Sequence, residues 1–235
     1  MTMPYVLHYA PDNASLIIRL ALEEMGLPYR TALVDRAKEG QRKPDYLRLN
    51  PNGLIPVLET PHGPIFETGA ILLWLADTHG QMAPGPTHCD RAAFLKWLFF
   101  VSNTLHADLR ITFYPHRYAG PSKSHHATMR RAVQARLRTH LAHLEALAKE
   151  PCRFLGSAAP SVLDYYLAAC LRWMALYPAD QDRGWFSLAD TPHLGTLLLR
   201  LETRPAVAAA TDAEGLGPTP FTAPHHPQPP EGSAT

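Results

Sequence analysis

The spacing of apolar residues changes character near residue 80. Before that point they come in short runs between turn residues, and beyond it they recur at helical spacing. Pro4 to Tyr9 is an apolar, aromatic run ending at Ala10-Pro11-Asp12-Asn13, which predicts a strand running into a turn. Ser15 to Met25 carries Leu16, Ile17, Ile18, Leu20, Ala21 and Leu22, with Glu23 and Glu24 on the wet side. That pattern predicts a mostly buried helix, stopped by Gly26. Tyr29 to Val34 alternates as a second strand, so the chain opens β-α-β, with a parallel pair and a right-handed crossover. Asp35 to Asn50 is too charged for core. Leu54 to Thr60, the Pro61-His62-Gly63-Pro64 turn and Ile65 to Glu67 predict a β-hairpin. Pro56 stands at the front of its strand, where a residue without an N–H is tolerated. Thr68 to His79 has helical spacing and Gly80 closes it.

Gln81 to Thr87, with two prolines and a glycine, is a linker. Helical periodicity then covers Arg91 to Ile111, Thr128 to Lys149, Ser161 to Tyr177 and His193 to Glu202. From Gly215 the chain is rich in Pro, Gly, Ser, Thr and His, a composition that predicts a disordered or surface-lying tail. The expected fold class is α/β plus all-α, with domains at 1–80 and 88–212, a linker at 81–87 and a Pro-rich tail at 213–235.

Composition narrows the function classes. The charged fraction is 18% and the formal net charge is +1, which gives no basic stripe for nucleic acid. Cys89, Cys152 and Cys170 are odd in number and widely spaced, which disfavours a disulfide framework, a zinc site and a dithiol redox pair. The 13 histidines lack a metal-ligand spacing, so no metal is expected. No apolar run reaches the roughly 18 residues of a membrane span, and no leader pattern opens the chain. A cytoplasmic protein is expected, without membrane or nucleic-acid partners.

Four segments carry a family resemblance. Tyr9-Ala10-Pro11-Asp12-Asn13-Ala14-Ser15-Leu16 resembles the first strand-to-helix turn of the soluble (cytosolic) glutathione S-transferases. Asn50-Pro51-Asn52-Gly53-Leu54-Ile55-Pro56-Val57-Leu58 resembles their NPxGxVPxL segment, Phe66-Glu67-Thr68-Gly69-Ala70-Ile71 their L-x-E-S-x-A-I segment, and Ser161-Val162-Leu163-Asp164 their helix-starting S-x-x-D box. The pattern is closest to the bacterial beta class. The resemblance implies an N-terminal thioredoxin-like domain, a C-terminal helical-bundle domain, glutathione as co-substrate, a small hydrophobic electrophile as partner, and a homodimer.

The resemblance also implies site residues. Ile55 and a cis Pro56 would pair backbone with glutathione, an extended peptide; a trans proline opening the strand is the plain alternative. Glu67 and Thr68, at a helix start, would hold the γ-glutamyl end, or Thr68 simply caps the helix. Lys38 is assigned to glutathione as well. The Ser161 box belongs to folding.

Catalysis needs a thiolate, stabilised by a hydrogen bond or a helix dipole. Ala14 stands where the beta class has a cysteine, which disfavours cysteine-centred chemistry here. The thiol-activating candidates are Ser15, Tyr9, Asn13 and His106. Ser15 equally suits a helix cap, Tyr9 simple packing, and His106 a satisfied core position. His106, Arg110 and Tyr114 would line the second-substrate pocket; His106 and Arg110 share one helix face. The activity expected is conjugation of the glutathione thiol to a hydrophobic electrophile. The rivals are a glutathione-dependent peroxidase, isomerase or dehalogenase, or a non-catalytic binding module.

Overall fold

The computed structural model describes residues 5–150 and 154–234, so Pro4 and Cys152 lie outside the described residues. The first unit runs β1 (Tyr5–Tyr9), α1 (Ser15–Glu24), β2 (Tyr29–Leu33), α2 (Pro44–Leu49), β3 (Val57–Thr60), β4 (Gly63–Phe66) and α3 (Thr68–His79). The sheet order is β2-β1-β3-β4. β1 pairs parallel with β2, Leu7 opposite Thr31, and antiparallel with β3, Leu7 opposite Leu58; β3 pairs antiparallel with β4. This is a thioredoxin-like domain. Leu16, Ile17, Ile18, Leu20 and Leu22 of α1 are fully enclosed against the sheet and α3. Gly80, at φ +62°, supplies the left-handed residue that ends α3. The polar stretch after β2 holds the short α2, whose Tyr46 joins Val34 and Val57 in a small core of its own.

The second unit is helical: α4 (Arg91–Phe100), α5 (His106–Phe113), α6 (His116–Ala119), α7 (Lys123–Lys149), α8 (Val162–Leu176), α9 (Pro192–Glu202) and α10 (Pro205–Glu214). The single helix expected over Arg91 to Ile111 is interrupted by a π-helical turn, Val101–Leu105, which re-aims His106. α8 is the axial helix, with fourteen of its fifteen residues buried. Its start is a capping box: the Ser161 amide donates to Asp164 at 2.7 Å and the Leu163 amide to the Ser161 hydroxyl at 3.1 Å. Burial raises the Asp164 carboxyl to about 6. The two units share one apolar core, in which Leu72 of α3, Leu98 of α4 and Leu167 of α8 all belong.

The C-terminal segment is built in rather than disordered. Leu216 and Phe221 are buried, and Glu202 accepts from the Phe221 and Thr222 amides at 2.8 Å each. The fully buried Arg172 donates to the carbonyls of Pro220 at 2.8 Å and His225 at 2.9 Å. The segment then crosses to the first unit, where Gly232 lies against Leu33 and Pro11.

Candidate functional site

The turn from β1 into α1 is fixed from several sides. Asp12 takes a left-handed backbone, φ 48°, which an aspartate adopts more readily than a bulky residue does. Its carboxylate, fully buried, accepts from Arg172 Nε at 2.8 Å and Nη2 at 3.0 Å, from Trp173 Nε1 at 3.0 Å and from the Tyr177 hydroxyl at 2.7 Å. Its amide donates to Glu214, which pairs with Arg19 at 2.8 Å. Burial raises the Glu214 carboxyl to about 7, against the pull of Arg19. The chain therefore has no freedom to re-aim the two residues that follow.

Three thiol-activating candidates lie in or beside this turn, in different situations. The Ser15 side chain is fully enclosed; its hydroxyl donates to the Ala10 carbonyl at 3.0 Å and accepts from the Ala10 amide at 3.2 Å. Tyr9 donates its phenol to Glu231 of the C-terminal segment, and burial together with that bond raises its pKa. Asn13 is half-buried; its Oδ1 accepts from the Ala14 amide at 2.8 Å, and its Nδ2 has no partner among the described residues. Asn13 stands one residue before Ala14, the N-cap of α1, a ten-residue helix whose dipole favours negative charge there.

The hairpin supplies a second wall. Ile55–Pro56 is a cis peptide bond, and Ile55 makes no backbone hydrogen bond among the described residues. Glu67 is exposed at φ 70°, a sparsely populated conformation for a non-glycine residue of the kind that collects at ligand clamps. Thr68 begins α3 and is buried. Gly69 lets α3 pack closely on the π-helical turn: a Cβ there would sit 3.0 Å from Ser102 Oγ. Lys38 stands apart on the loop after β2, exposed and paired with Asp35 at 2.9 Å.

The helical wall carries His106, Arg110 and Tyr114. His106 Nδ1 is 2.9 Å from the Tyr166 hydroxyl, with the ring beside Trp173 at 5.4 Å between centroids. The Thr68 and Ser102 hydroxyls face the same Tyr166 phenol. The structure thus brings Thr68 and His106 to the hydroxyl of one tyrosine. Burial first, then the Arg110 charge, lowers His106 to about 4, so the ring is neutral near pH 7. Because the unfolded chain takes up this proton near 6.5, the stability from a neutral His106 is complete above that pH. It is lost as the pH falls from 6.5 towards 4. Urea midpoints of the native protein should fall more steeply over this window than those of His106→Gln; equal slopes would contradict the assignment.

Four participants were missed in the sequence. Asp12 lies inside the first resembling segment but was given no role there, Tyr166 follows the Ser161 box, and Arg172 has no motif of its own. Arg36, on the loop after β2, donates to the Tyr114 hydroxyl at 3.0 Å and to the Ala234 carbonyl at 2.6 Å, tying the first unit to α5 and to the C-terminal segment. Cys170 is buried with its thiol pKa raised, and Cys89 is exposed on the linker side of α4. His88, Cys89 and Asp90 place three ligand-type atoms within 4.8 Å of one another, but His88 Nδ1 already accepts from the Asp90 amide at 3.1 Å. No helix among the described residues is long and apolar enough to cross a membrane.

Comparison with known proteins bears on this arrangement. The family profile for the glutathione S-transferase N-terminal domain matches residues 14–78, and that for the C-terminal domain matches residues 127–209. The chain is 32% identical to the disulfide-bond oxidoreductase YfcG of Escherichia coli, over 90% of this chain and 96% of that one. It is 30% identical to the glutathione S-transferase GST-4.5 of Xanthomonas campestris, over 89% and 98%. Among solved structures, a glutathione transferase from Burkholderia graminis with two glutathione molecules bound per subunit superposes with TM-score 0.77. It is 27% identical, covering 91% of this chain and 90% of that one.

Proposed function

Because the chain belongs to the glutathione S-transferase family, we propose that it binds glutathione against the thioredoxin-like domain and transfers the thiol to a hydrophobic electrophile. Glutathione would lie along Ile55, its γ-glutamyl end at Glu67 and Thr68, where free amides and the dipole of α3 favour a carboxylate. Lys38 is within the same reading as a loop cation for the peptide's other carboxylate. The thiol then points to the β1–α1 turn. The observation that carries the reading is the unpartnered Asn13 amide poised at the start of α1.

In the reaction the thiol loses its proton to solvent, and the thiolate is held by Asn13 Nδ2–H and the helix dipole. It attacks an electrophilic carbon, forming the C–S bond; in a substitution, the halide leaves with the bonding pair. His106, neutral, serves the second substrate as a hydrogen-bonding wall with Tyr166, alongside Arg110 and Tyr114. Ser15 supports the turn rather than the thiolate. A cytoplasmic homodimer acting in detoxification completes this reading.

A second reading, glutathione-dependent reduction of disulfides, is favoured by the relative of that name. The buried Cys170 and the alanine at position 14 exclude neither reading, since glutathione itself supplies the attacking thiolate: it forms one mixed disulfide and releases one thiolate.

Calorimetric titration with glutathione, with chlorodinitrobenzene turnover in parallel, tests the reading. Native protein should bind and turn over. Glu67→Ala should weaken glutathione binding by about tenfold, the scale of one charge-assisted hydrogen bond, and raise KM more than it lowers kcat. Native protein that does not bind glutathione would overturn the proposal.

A further inference from the structure

We propose that Arg36, Arg110 and Arg117, gathered around Tyr114 and Tyr118 where the loop after β2 meets α5 and α6, bind an anionic group on the second substrate. The proposal rests on the reading above, and it adds the chemical class: a carboxylate-bearing electrophile or disulfide, favoured over its neutral counterpart.

Two of the guanidiniums reach Tyr114 itself, and the third lies one helical turn away on Tyr118. Arg36 donates to its hydroxyl at 3.0 Å from the first unit. Arg117 stacks over its ring at 5.0 Å from α6. Arg110 lies one turn earlier on α5, its backbone carbonyl bonded to the Tyr114 amide, and donates to the Tyr118 hydroxyl at 3.2 Å. None of the three has a carboxylate partner among the described residues.

A solvated basic surface is the ordinary explanation of such a cluster, and three features weigh against it here. The formal net charge of the whole chain is only +1, so the local excess does not follow from a basic composition. Arg36 and Arg110 are half-buried rather than extended into solvent. An oxygen acceptor already sits on Arg36 Nη1, the Ala234 carbonyl at 2.6 Å, a neutral atom where a carboxylate would bind more strongly. Planar guanidinium forks match carboxylates in pairs, which suits recognition better than a single lysine would.

The test compares matched substrates: chlorodinitrobenzene against chlorodinitrobenzoate, and hydroxyethyl disulfide against dithiodipropionate. Each rate is normalised to its uncatalysed rate with glutathione. Arg36→Met with Arg110→Met should lower the charged-to-neutral ratio of kcat/KM by at least tenfold in one pair, that pair naming the reaction served. An unchanged ratio in both pairs would overturn the clamp. Calorimetric binding of the carboxylated and uncarboxylated dinitrophenyl-glutathione conjugates gives a readout without turnover. Preference for the carboxylated conjugate, lost in the double variant, supports the clamp even if no substrate reacts, an outcome that sinks the transferase reading alone. Equal affinities overturn the clamp and leave that reading standing.

Discussion

Arg172→Met is expected to lower the unfolding free energy by about 3–5 kcal/mol, the range found when one partner of a buried ion pair is removed. Two consequences of the structure combine. The Asp12 carboxylate would be left fully buried with two neutral donors, Trp173 Nε1 and the Tyr177 hydroxyl, and no compensating charge. The Pro220 and His225 carbonyls would lose the donor that ties the C-terminal segment to α8. A loss of this size is a large fraction of the ~5–15 kcal/mol that stabilises a typical domain. Urea unfolding should show it directly, and limited proteolysis should open new cuts within 217–230. The charge argument has its own control. Asp12→Asn placed in the same background removes the stranded charge, keeps an acceptor for Trp173 and Tyr177, and suits the left-handed backbone. It should recover stability. A double variant no more stable than Arg172→Met would show that lost tail contacts, not the buried charge, set the loss.

This network also marks where the sequence stops being legible. The strands, the hairpin and α1 were readable because their signals are local: turn residues, alternation, and a glycine at each helix end. The cis Pro56 was readable only through the family resemblance, whereas the helix start at Thr68 already showed in the spacing. α10 was missed because Pro205–Glu214 is rich in alanine and carries no large apolar stripe to set a period. The C-terminal segment was legible only as a disordered or surface-lying tail, and its course over the surface was not. Leu216, Pro220 and Phe221 are its buried apolar residues, and the rest is held through backbone carbonyls and side-chain oxygens that composition does not reveal. The site contacts were invisible because they join distant positions: 160 residues separate Asp12 from Arg172, 78 separate Arg36 from Tyr114, and 60 separate His106 from Tyr166. One signal was available in retrospect. An arginine at 172, between Leu171 and Trp173 on a helix apolar all round, has to find a buried acid.

The same turn that Arg172 fixes decides the chemistry. Asn13→Ala is expected to lower kcat/KM for a conjugating substrate by about 100-fold, at the lower end of what losing one oxyanion-type donor costs. The mechanism is specific: with Nδ2–H gone, the α1 dipole alone stabilises the thiolate, so the pKa of bound glutathione should rise. A pH titration of thiolate ultraviolet absorbance in the binary complex reads that shift without any second substrate. Ser15→Ala provides the contrast. Its hydroxyl is enclosed and bonded on both sides to Ala10, so the variant should lose about 1 kcal/mol of stability while leaving the thiol pKa in place. Tyr9→Phe should behave similarly, since its phenol is already committed to Glu231. If Asn13→Ala leaves the thiol pKa unmoved and Ser15→Ala raises it, the turn must rearrange when glutathione binds, freeing the serine from Ala10. Asp12, clamped by Arg172, Trp173 and Tyr177, is the reason to expect that it does not.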